Sequence, residues 1–218
     1  MDLEAELAAA RELDVAVIAD AIARIGFECT RCGHCCRGMD EEHTATVFPD
    51  EVRAIQDSGE YDWRDVARPM PFGLTDDDHD PSGETFEWAL QTDDCRDCTF
   101  YDVDGEACSI YDDRPLICET YPFSIALGED GAGTSEPMGS VVDSDGPVRA
   151  HECEGLGRDI SQDEARELAA TLKERAIREL EEAIAVRDNY EPVDADGVVV
   201  HDSEGQKRPD GTSLADQQ

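Results

Sequence analysis

The sequence is poor in lysine and rich in acid. Of its 18 basic residues only Lys173 and Lys207 are lysines, and 54 acidic residues give the chain a formal net charge of −36. Because nucleic acids carry a dense negative charge, such a surface repels them, and an acidic membrane surface is disfavoured for the same reason. We therefore expect neither nucleic acid nor membrane among the partners.

Signals for export and membrane insertion are also missing. No segment approaches the ~18 consecutive apolar residues that predict a transmembrane helix. The N-terminal Met-Asp-Leu-Glu-Ala-Glu lacks the basic start, apolar run and small-residue cleavage site of a secretory signal. We expect a cytoplasmic location, a reducing compartment in which clustered thiols bind metals more often than they form disulfides.

Familiar catalytic motifs are absent from the sequence. It contains no G-x-G-x-x-G after a strand pattern, no P-loop and no convincing Ser-His-Asp arrangement. No catalytic residue is therefore assigned, and any enzymatic role would depend on a bound metal.

The acidic residues are spread along the chain among Leu, Ile, Val and aromatic residues instead of being gathered in one tail. This distribution predicts a folded core and not a disordered chain. A surface of this kind suits concentrated salt, where the Debye length falls to ~3 Å at 1 M and self-repulsion is screened. We hypothesise a halophilic source and expect the fold to be lost in dilute buffer.

Cysteine is what the sequence has in excess, with nine in 218 residues. Cys29, Cys32, Cys35 and Cys36 lie within one stretch of eight residues. A C-x2-C turn brings two sulfurs to one side of the backbone, and an overlapping C-x2-C adds a third. Gly33 can take a positive φ and let backbone N–H groups point at the thiolates. Cys35 and Cys36 are adjacent, so their side chains diverge, and either one is a spare or the pair reaches two sites.

The fold class predicted is α+β, a small loop-rich cysteine-ligated metal domain with short strands, packed by N- and C-terminal helices. The predicted organisation is an N-terminal helix at 1–26, a cysteine-cluster metal-binding domain at 27–158, a C-terminal helix at 159–189 and an acidic disordered tail at 190–218.

Local signals place the helices. An apolar stripe at three- and four-residue steps predicts a helix over 2–25, with a possible bend at Leu13-Asp14-Val15 and with Gly26 as its C-cap. Pro49 opens a short helix, and Ser161 with Glu164 forms a capping box at the start of a longer one. A further helical turn is predicted over 62–67, and a short helix carrying Cys118 after Arg114-Pro115.

Extended segments and loops follow from the strand period and from turn residues. Strands are predicted at 44–48, around Trp88, on both sides of a Val103-Asp104-Gly105 turn, and at 121–127. Polar or glycine-rich loops are predicted at 71–84 and 128–148.

Four groups of residues together carry a family resemblance. They are Cys29-x2-Cys32-Gly-x-Cys35-Cys36-Arg, Cys98, Cys108-x-Ile-Tyr111-x2-Arg114-Pro115-x2-Cys118 with Pro122-Phe123, and Cys153-x-Gly-Leu-Gly157. The pattern resembles the CxxCxxCC family of YkgJ-type cysteine-cluster proteins, described as zinc- or iron-chelating domains, and the similarity runs from about Phe27 to Gly157. Its members are often named Fe-S oxidoreductases. The flagellin lysine methylases are similar in carrying this cluster, but no cofactor pocket for methyl transfer is visible here.

The resemblance implies eight metal ligands, which are Cys29, Cys32, Cys35, Cys36, Cys98, Cys108, Cys118 and Cys153. Cys95 lies outside the motif, and a final Cys-Pro-Gly is more typical of the family than Cys153-Glu-Gly. Eight sulfurs could form two four-thiolate sites, or one site with the others as structural thiols. Each set suits either tetrahedral zinc or a [4Fe–4S] cluster. The C-x2-C-x2-C run with a distant fourth cysteine favours iron and sulfur, whereas paired C-x2-C turns and a small hairpin suit a zinc ribbon.

Other residues near the cysteines have two interpretations each. His34 and His151 could replace a cysteine as ligand, but a surplus of cysteine favours polar turn residues. Arg31, Arg37 and Arg114 could neutralise thiolate charge, or Arg114 could pair with Asp112 or Asp113. Tyr111 is interpreted as a packing residue.

Three functions remain open at this point. The first is an iron-sulfur protein with a redox or electron-transfer role, and the second a non-catalytic zinc module that recruits an unknown protein partner. The third is metal handling, in which labile sites pass iron or zinc onward.

Overall fold

A computed structural model describes residues 2–37, 44–75, 81–102, 104–105, 107–127, 140–193 and 197–215. Within them helices alternate with short strands in small sheets, so the predicted α+β, loop-rich fold class is confirmed. The chain divides into two compact units. The first comprises residues 1–35, 102–108 and 116–181, and the second comprises 36–101, 109–115 and 182–218.

The helices are α1 (Leu3–Glu12), α2 (Val15–Ile25), α3 (Pro49–Ser58), α4 (Trp63–Val66), α5 (Leu116–Thr120) and α6 (Gln162–Asn189). The strands are β1 (Thr46–Val47), β2 (Ala67–Pro69), β3 (Gly83–Thr85), β4 (Trp88–Leu90), β5 (Tyr101–Asp102), β6 (Ala107–Cys108), β7 (Phe123–Ile125), β8 (Val141–Asp145), β9 (Val148–His151), β10 (Val198–Asp202) and β11 (Gly205–Lys207). In this part of the chain none of the helices is long and apolar enough to cross a bilayer.

Two helices replace the single helix predicted over 2–25. Leu13 leaves the helical region with ψ 132°, and the Asp14 side chain accepts a hydrogen bond from the Ala16 N–H (2.8 Å), so a second N-cap interrupts the apolar stripe. The break lies at the bend that the pattern indicated. Gly26 ends α2 at φ 79°, as its C-cap prediction requires.

The core of the first unit lies among α1, α2, α6 and an antiparallel sheet of order β7-β9-β8. Ile18 and Ile22 of α2, Phe123 of β7 and Leu172 of α6 are almost completely buried there. The predicted capping box forms at the start of α6, where the Glu164 N–H donates to Ser161 Oγ and the Glu164 carboxylate accepts from the Ser161 N–H. Residues 162–181 of α6 belong to this unit and the rest to the second.

The loop prediction for 128–148 is wrong at its C-terminal end. Strand β8 and the start of β9 occupy 141–148 and pair through a turn with Gly146 at φ 54°. The two-residue loop Gly146-Pro147 has glycine at its first position, which is a hairpin signal that the acidic, glycine-rich composition obscured. The remainder of that predicted loop, 128–139, lies outside the described residues.

The second unit contains two three-stranded sheets, of order β1-β4-β2 and β11-β10-β3. The predicted extended segment at 44–48, the helix opened by Pro49 and the strand around Trp88 are confirmed as β1, α3 and β4. The helical turn predicted over 62–67 is confirmed as α4. Residues 76–80 of the polar loop lie outside the described part, and Gly83–Thr85 at its end forms β3.

The chain after Glu191 forms strands where a disordered tail was predicted, with Val198, Val199 and Val200 at best a short edge strand. Strand β10 is the central strand of its sheet, parallel to β3 and antiparallel to β11. Asp202 accepts a hydrogen bond from Trp88 Nε1 (2.8 Å) and pairs with Lys207 Nζ (2.9 Å). Buried charges of this kind are tolerated because they are paired. The sequence alone does not show that these residues pair, so the polar composition of the segment predicted disorder.

Candidate metal centre

The residues just before the first cysteine pair with the residues just after the last one. Phe27 and Leu156 form an isolated antiparallel bridge, the Glu28 N–H donates to the Gly155 carbonyl (3.0 Å), and the Gly157 N–H donates to the Gly26 carbonyl (3.0 Å). Cys29 and Cys153 directly flank these paired segments. The first unit therefore brings together the two ends of the cysteine pattern.

Two glycines permit this close approach. A Cβ on Gly155 would collide with the Glu28 carbonyl oxygen and with the Phe27 ring, and a Cβ on Gly26 would lie 2.5 Å from the Arg158 carbonyl oxygen. No real Cβ tolerates such contacts without a shift of the backbone. The sequence predicted Gly26 as a C-cap, but its second role in the pairing was not visible.

The first three cysteines lie on a tightly turned segment. Arg31 has φ 57° and Gly33 has φ 69°, and a 3-10 turn follows at His34–Cys36. The positive φ predicted for Gly33 is confirmed. Arg31 adopts a left-handed conformation that costs a non-glycine residue ~1 kcal/mol or more. Cys29 and Cys35 are exposed and Cys32 is half-buried.

Electrostatics show that four thiols share one neighbourhood. Burial raises the pKa of the Cys153 thiol, and the thiols of Cys35, Cys32 and Cys29 raise it further. The Gly155 N–H, 3.4 Å from Cys153 Sγ, acts in the opposite direction by stabilising the thiolate. The charges of Cys35, Cys32 and Cys29 act on Cys153 in addition to burial, and we call these four residues the cysteine group.

The cysteine group fits a thiophilic metal by its chemistry. Four thiolates are the donor set of both tetrahedral zinc and a [4Fe–4S] cluster. A cation among them would remove the mutual repulsion that raises the pKa of Cys153. Among the described residues no three Cys, His, Asp or Glu side chains already converge closely enough to enclose an ion.

Tyr121 is a neighbour of the cysteine group that the sequence reasoning missed. Its hydroxyl donates to the carbonyl of Glu152, the residue before Cys153. Burial and then the charges of Cys153, Cys35, Glu152 and Cys32 raise the pKa of the Tyr121 hydroxyl. The alternation that predicted β7 gave no indication that this ring lies beside the thiols.

The second unit holds Cys36 and Cys98 together. The Cys98 N–H donates to the Cys36 carbonyl (2.8 Å), and Cys98 is buried. The adjacent Cys35 instead belongs to the first unit and influences the Cys153 thiol. The two neighbouring cysteines thus differ in their contacts.

Cys95 lies in a loop closed by Asp93. The Asp93 carboxylate accepts from the Cys95 N–H (2.8 Å) and the Asp97 N–H (3.0 Å), and Arg96 adopts φ 68°. The Cys95 side chain is exposed. These contacts explain the loop through its backbone, and the exclusion of Cys95 from the predicted ligands rests on the sequence motif.

Cys108 and Cys118 both lie in the first unit and are half-buried. Cys108 ends β6, and Cys118 lies on α5, the short helix predicted after Arg114-Pro115. Their assignment as ligands rests on the sequence motif.

The histidine and arginine alternatives are partly decided by contacts. His151 is completely buried and its Nε2 lies 2.9 Å from Ser124 Oγ, which agrees with a hydrogen-bonding residue. The Arg114 guanidinium stacks 3.7 Å from the Tyr111 ring centroid and donates to the Tyr111 carbonyl (2.8 Å), so Tyr111 packs as predicted. Arg37 donates to the Tyr101 hydroxyl (2.7 Å).

Comparison with known proteins adds one finding. The family model CxxCxxCC, described as "Putative zinc- or iron-chelating domain", matches residues 28–154, which is more than half of the chain. The match begins one residue before Cys29 and ends one residue after Cys153, and it includes all nine cysteines. No curated protein and no solved structure matches the chain.

Proposed function

The chain belongs to the CxxCxxCC family, whose zinc- or iron-chelating character supports metal binding, and from this premise we propose that it holds a [4Fe–4S] cluster with a redox or electron-transfer role. The proposed ligands of the cluster are Cys29, Cys32, Cys35 and Cys153. When bound, such a cluster supplies one-electron oxidation and reduction.

The observation that carries the proposal is the pairing of Glu28 with Gly155. It brings a distant fourth cysteine beside a C-x2-C-x2-C run. Three closely spaced cysteines completed by a remote one are typical of [4Fe–4S] ligation. The effect of the other three thiols on the pKa of Cys153 supports the same grouping.

The residues around the cysteine group have defined tasks in this proposal. The Gly155 N–H points at Cys153 Sγ, and hydrogen bonds to sulfur and partial burial both tune the reduction potential of such sites. The Tyr121 hydroxyl donates a hydrogen bond to the Glu152 carbonyl and so holds the backbone beside Cys153. The sequence motif alone supports the proposal that the four other cysteines of the pattern also bind metal, namely Cys36, Cys98, Cys108 and Cys118.

A zinc ion on the same four thiolates is the second candidate. The positive φ values of Arg31 and Gly33 favour it, because a compact turn around C-x2-C suits a single tetrahedral ion. Zinc would then supply folding free energy, and the surface would recruit a protein partner in the cytoplasm. The exposure of Cys29 and Cys35 would also permit metal exchange, as metal handling requires.

Metal and sulfide analysis of protein purified without oxygen in molar salt separates these functions. We expect about four iron with matching sulfide per cluster and a broad visible absorption. One or two zinc without sulfide would overturn the redox proposal and support the zinc module. Cys32→Ser should lower the content of either metal, and unchanged content would contradict the ligand assignment.

A further inference from the structure

Helix α6 carries an arginine that is buried in the first unit. The Arg175 side chain is only 2% exposed, and its Nε donates to Glu179 Oε1 (2.7 Å) one helical turn later. An arginine is almost never buried unless its charge is paired and its donors are used. The ion pair with Glu179 compensates the charge of the Arg175 guanidinium, and its Nη1 atom makes further hydrogen bonds.

Those contacts lie on both sides of Tyr121. Arg175 Nη1 donates to Thr120 Oγ1 (3.0 Å), at the end of α5, and to the Phe123 carbonyl (3.1 Å), at the start of β7. Thr120 is itself buried and donates its hydroxyl to the Leu116 carbonyl (2.6 Å). The rigid Arg175 guanidinium therefore holds Thr120 before Tyr121 and Phe123 after it.

The segment 120–123 in turn contacts residues that adjoin the cysteine group, Glu152 next to Cys153 and Phe27 before Cys29. The Tyr121 hydroxyl donates to the Glu152 carbonyl, next to Cys153. The Phe123 ring packs edge-to-face on Phe27 with centroids 5.5 Å apart, in the segment that leads to Cys29. A displacement of 120–123 would thus reach the cysteine group from two directions.

We infer that Arg175 is a positioning residue for the cysteine group, acting through Thr120 and Phe123 on Tyr121 and Phe27. The inference rests on the proposed function only in that the group binds a metal, whether as a cluster or as zinc. Arg175 lies outside the matched segment 28–154, so the family pattern does not assign it this role. Outer residues of this type typically change metal affinity 10–100-fold when they are removed.

The test uses the full chain, prepared metal-free and without oxygen in molar salt, and titrated with Zn²⁺ and with Co²⁺. The variants are Arg175→Lys, which loses the planar fork, Thr120→Val, which loses one acceptor at equal size, and Tyr121→Phe, which loses only the hydroxyl. Arg166→Lys is the matched control, because Arg166 lies on the same helix with an exposed side chain. Zinc affinity is measured by chelator competition, and the cobalt–thiolate absorption band reports the geometry of the sulfurs.

We expect about 10-fold weaker zinc binding and a shifted cobalt band for Arg175→Lys and Tyr121→Phe, a smaller loss for Thr120→Val, and wild-type values for Arg166→Lys. In the metal-free chain, backbone amides of 150–157 should exchange hydrogen faster in the first three variants. If these variants only lower the melting temperature while affinity, cobalt band and exchange of 150–157 stay at wild-type values, Arg175 is merely structural and the inference is wrong. Should Arg175→Lys fail to fold, Thr120→Val and Tyr121→Phe decide by the same criteria.

The two proposals can fail separately. A wild-type chain that binds neither zinc nor cobalt and takes up no iron would contradict the proposed function. The exchange of 150–157 in the metal-free variants would still report whether Arg175 positions that segment.

Discussion

The two compact units of this strongly acidic chain are stabilised in different ways. The first buries an apolar core between helices and a sheet, and within its cysteine group Cys29 and Cys35 are exposed whereas Cys32 and Cys153 are half-buried. Each unit also buries an ion pair, Arg175 with Glu179 in the first and Lys207 with Asp202 in the second, where Lys207 and Asp202 are only 7% and 1% exposed beside Trp88. A metal ion should therefore contribute mainly to the first unit, whereas the carboxylates of the second should make its stability depend on pH. Both tryptophans, Trp63 and Trp88, belong to the second unit, so tryptophan fluorescence reports that unit selectively.

Among the substitutions that test this difference between the units, Asp202→Ala should cause the largest loss in the free energy of unfolding. The substitution leaves the buried Trp88 N–H without its acceptor and removes one of the two carboxylates that pair with Lys207. Breaking a buried pair from one side costs about 3 kcal/mol or more. Urea unfolding followed by tryptophan fluorescence should show this loss. Asp188→Ala, at a 59% exposed side chain of the same unit, is the control and should change the free energy of unfolding by less than about 0.5 kcal/mol.

A smaller effect, confined to the first unit, is expected from Gly155→Ala. The new Cβ would meet the Glu28 carbonyl oxygen and push apart the segments that flank Cys29 and Cys153. Overpacking of this kind costs ~1–3 kcal/mol, and metal affinity should fall with it. Chelator competition measures the affinity, and hydrogen exchange measures the local stability.

Gly146→Ala is the matched control for Gly155→Ala. Gly146 has a positive φ, but a Cβ there meets nothing within 4 Å. It should therefore cost ~1 kcal/mol of backbone strain without changing metal affinity. Equal losses of affinity in both variants would contradict the claim that close approach at Gly155 assembles the site.

The smallest effect expected is a dependence of the second unit's free energy of unfolding on pH. Hydrogen bonds from Arg53 and then from Lys207 lower the pKa of Glu204 from 4.5 to about 2. Because the folded pKa is depressed, this contribution is present above pH 4.5 and is lost as the pH falls from about 4.5 to about 2. Glu204 is 41% exposed, so solvent screening limits its contribution to about 1 kcal/mol or less.

Glu204→Gln tests that pH window. The variant should flatten the fall in second-unit stability between pH 4.5 and 2, as followed by tryptophan fluorescence in urea. The exposed ion-pair residue Glu181 provides the comparison through Glu181→Gln, which should leave the tryptophan signal's pH dependence unchanged. A parallel loss in wild type and Glu204→Gln would show that other carboxylates control the acid response.

Local signals in the sequence predicted the local structure well. Pro49, the Ser161–Glu164 capping box and Gly26 each act within one helical turn, and each of the three predictions is confirmed. The predicted helix over 2–25 divides at Asp14, where a bend was indicated and where the Asp14 side chain caps a second helix. Helix propensity and apolar periodicity do not show whether a capping side chain bends a helix or ends it.

Structure that depends on distant partners was not predicted. Strand β10 is held by pairing with β3 and by the contact of Asp202 with Trp88, both far away in sequence. The family resemblance gave the cysteines as a set, but not the pairing of Glu28 with Gly155 that groups four of them. Arg175 and Tyr121 have no motif of their own, because their roles come from where the fold places them.

The central claim is that Cys153 completes a site begun by Cys29, Cys32 and Cys35, and metal content of two single variants tests it most directly. Cys153→Ser and Cys95→Ser are purified without oxygen in molar salt, and bound iron, sulfide and zinc are measured beside the wild type. The account predicts that Cys153→Ser loses most of its metal, whereas Cys95→Ser keeps the wild-type content and spectrum. A full wild-type complement in Cys153→Ser, with an unchanged spectrum, would contradict it.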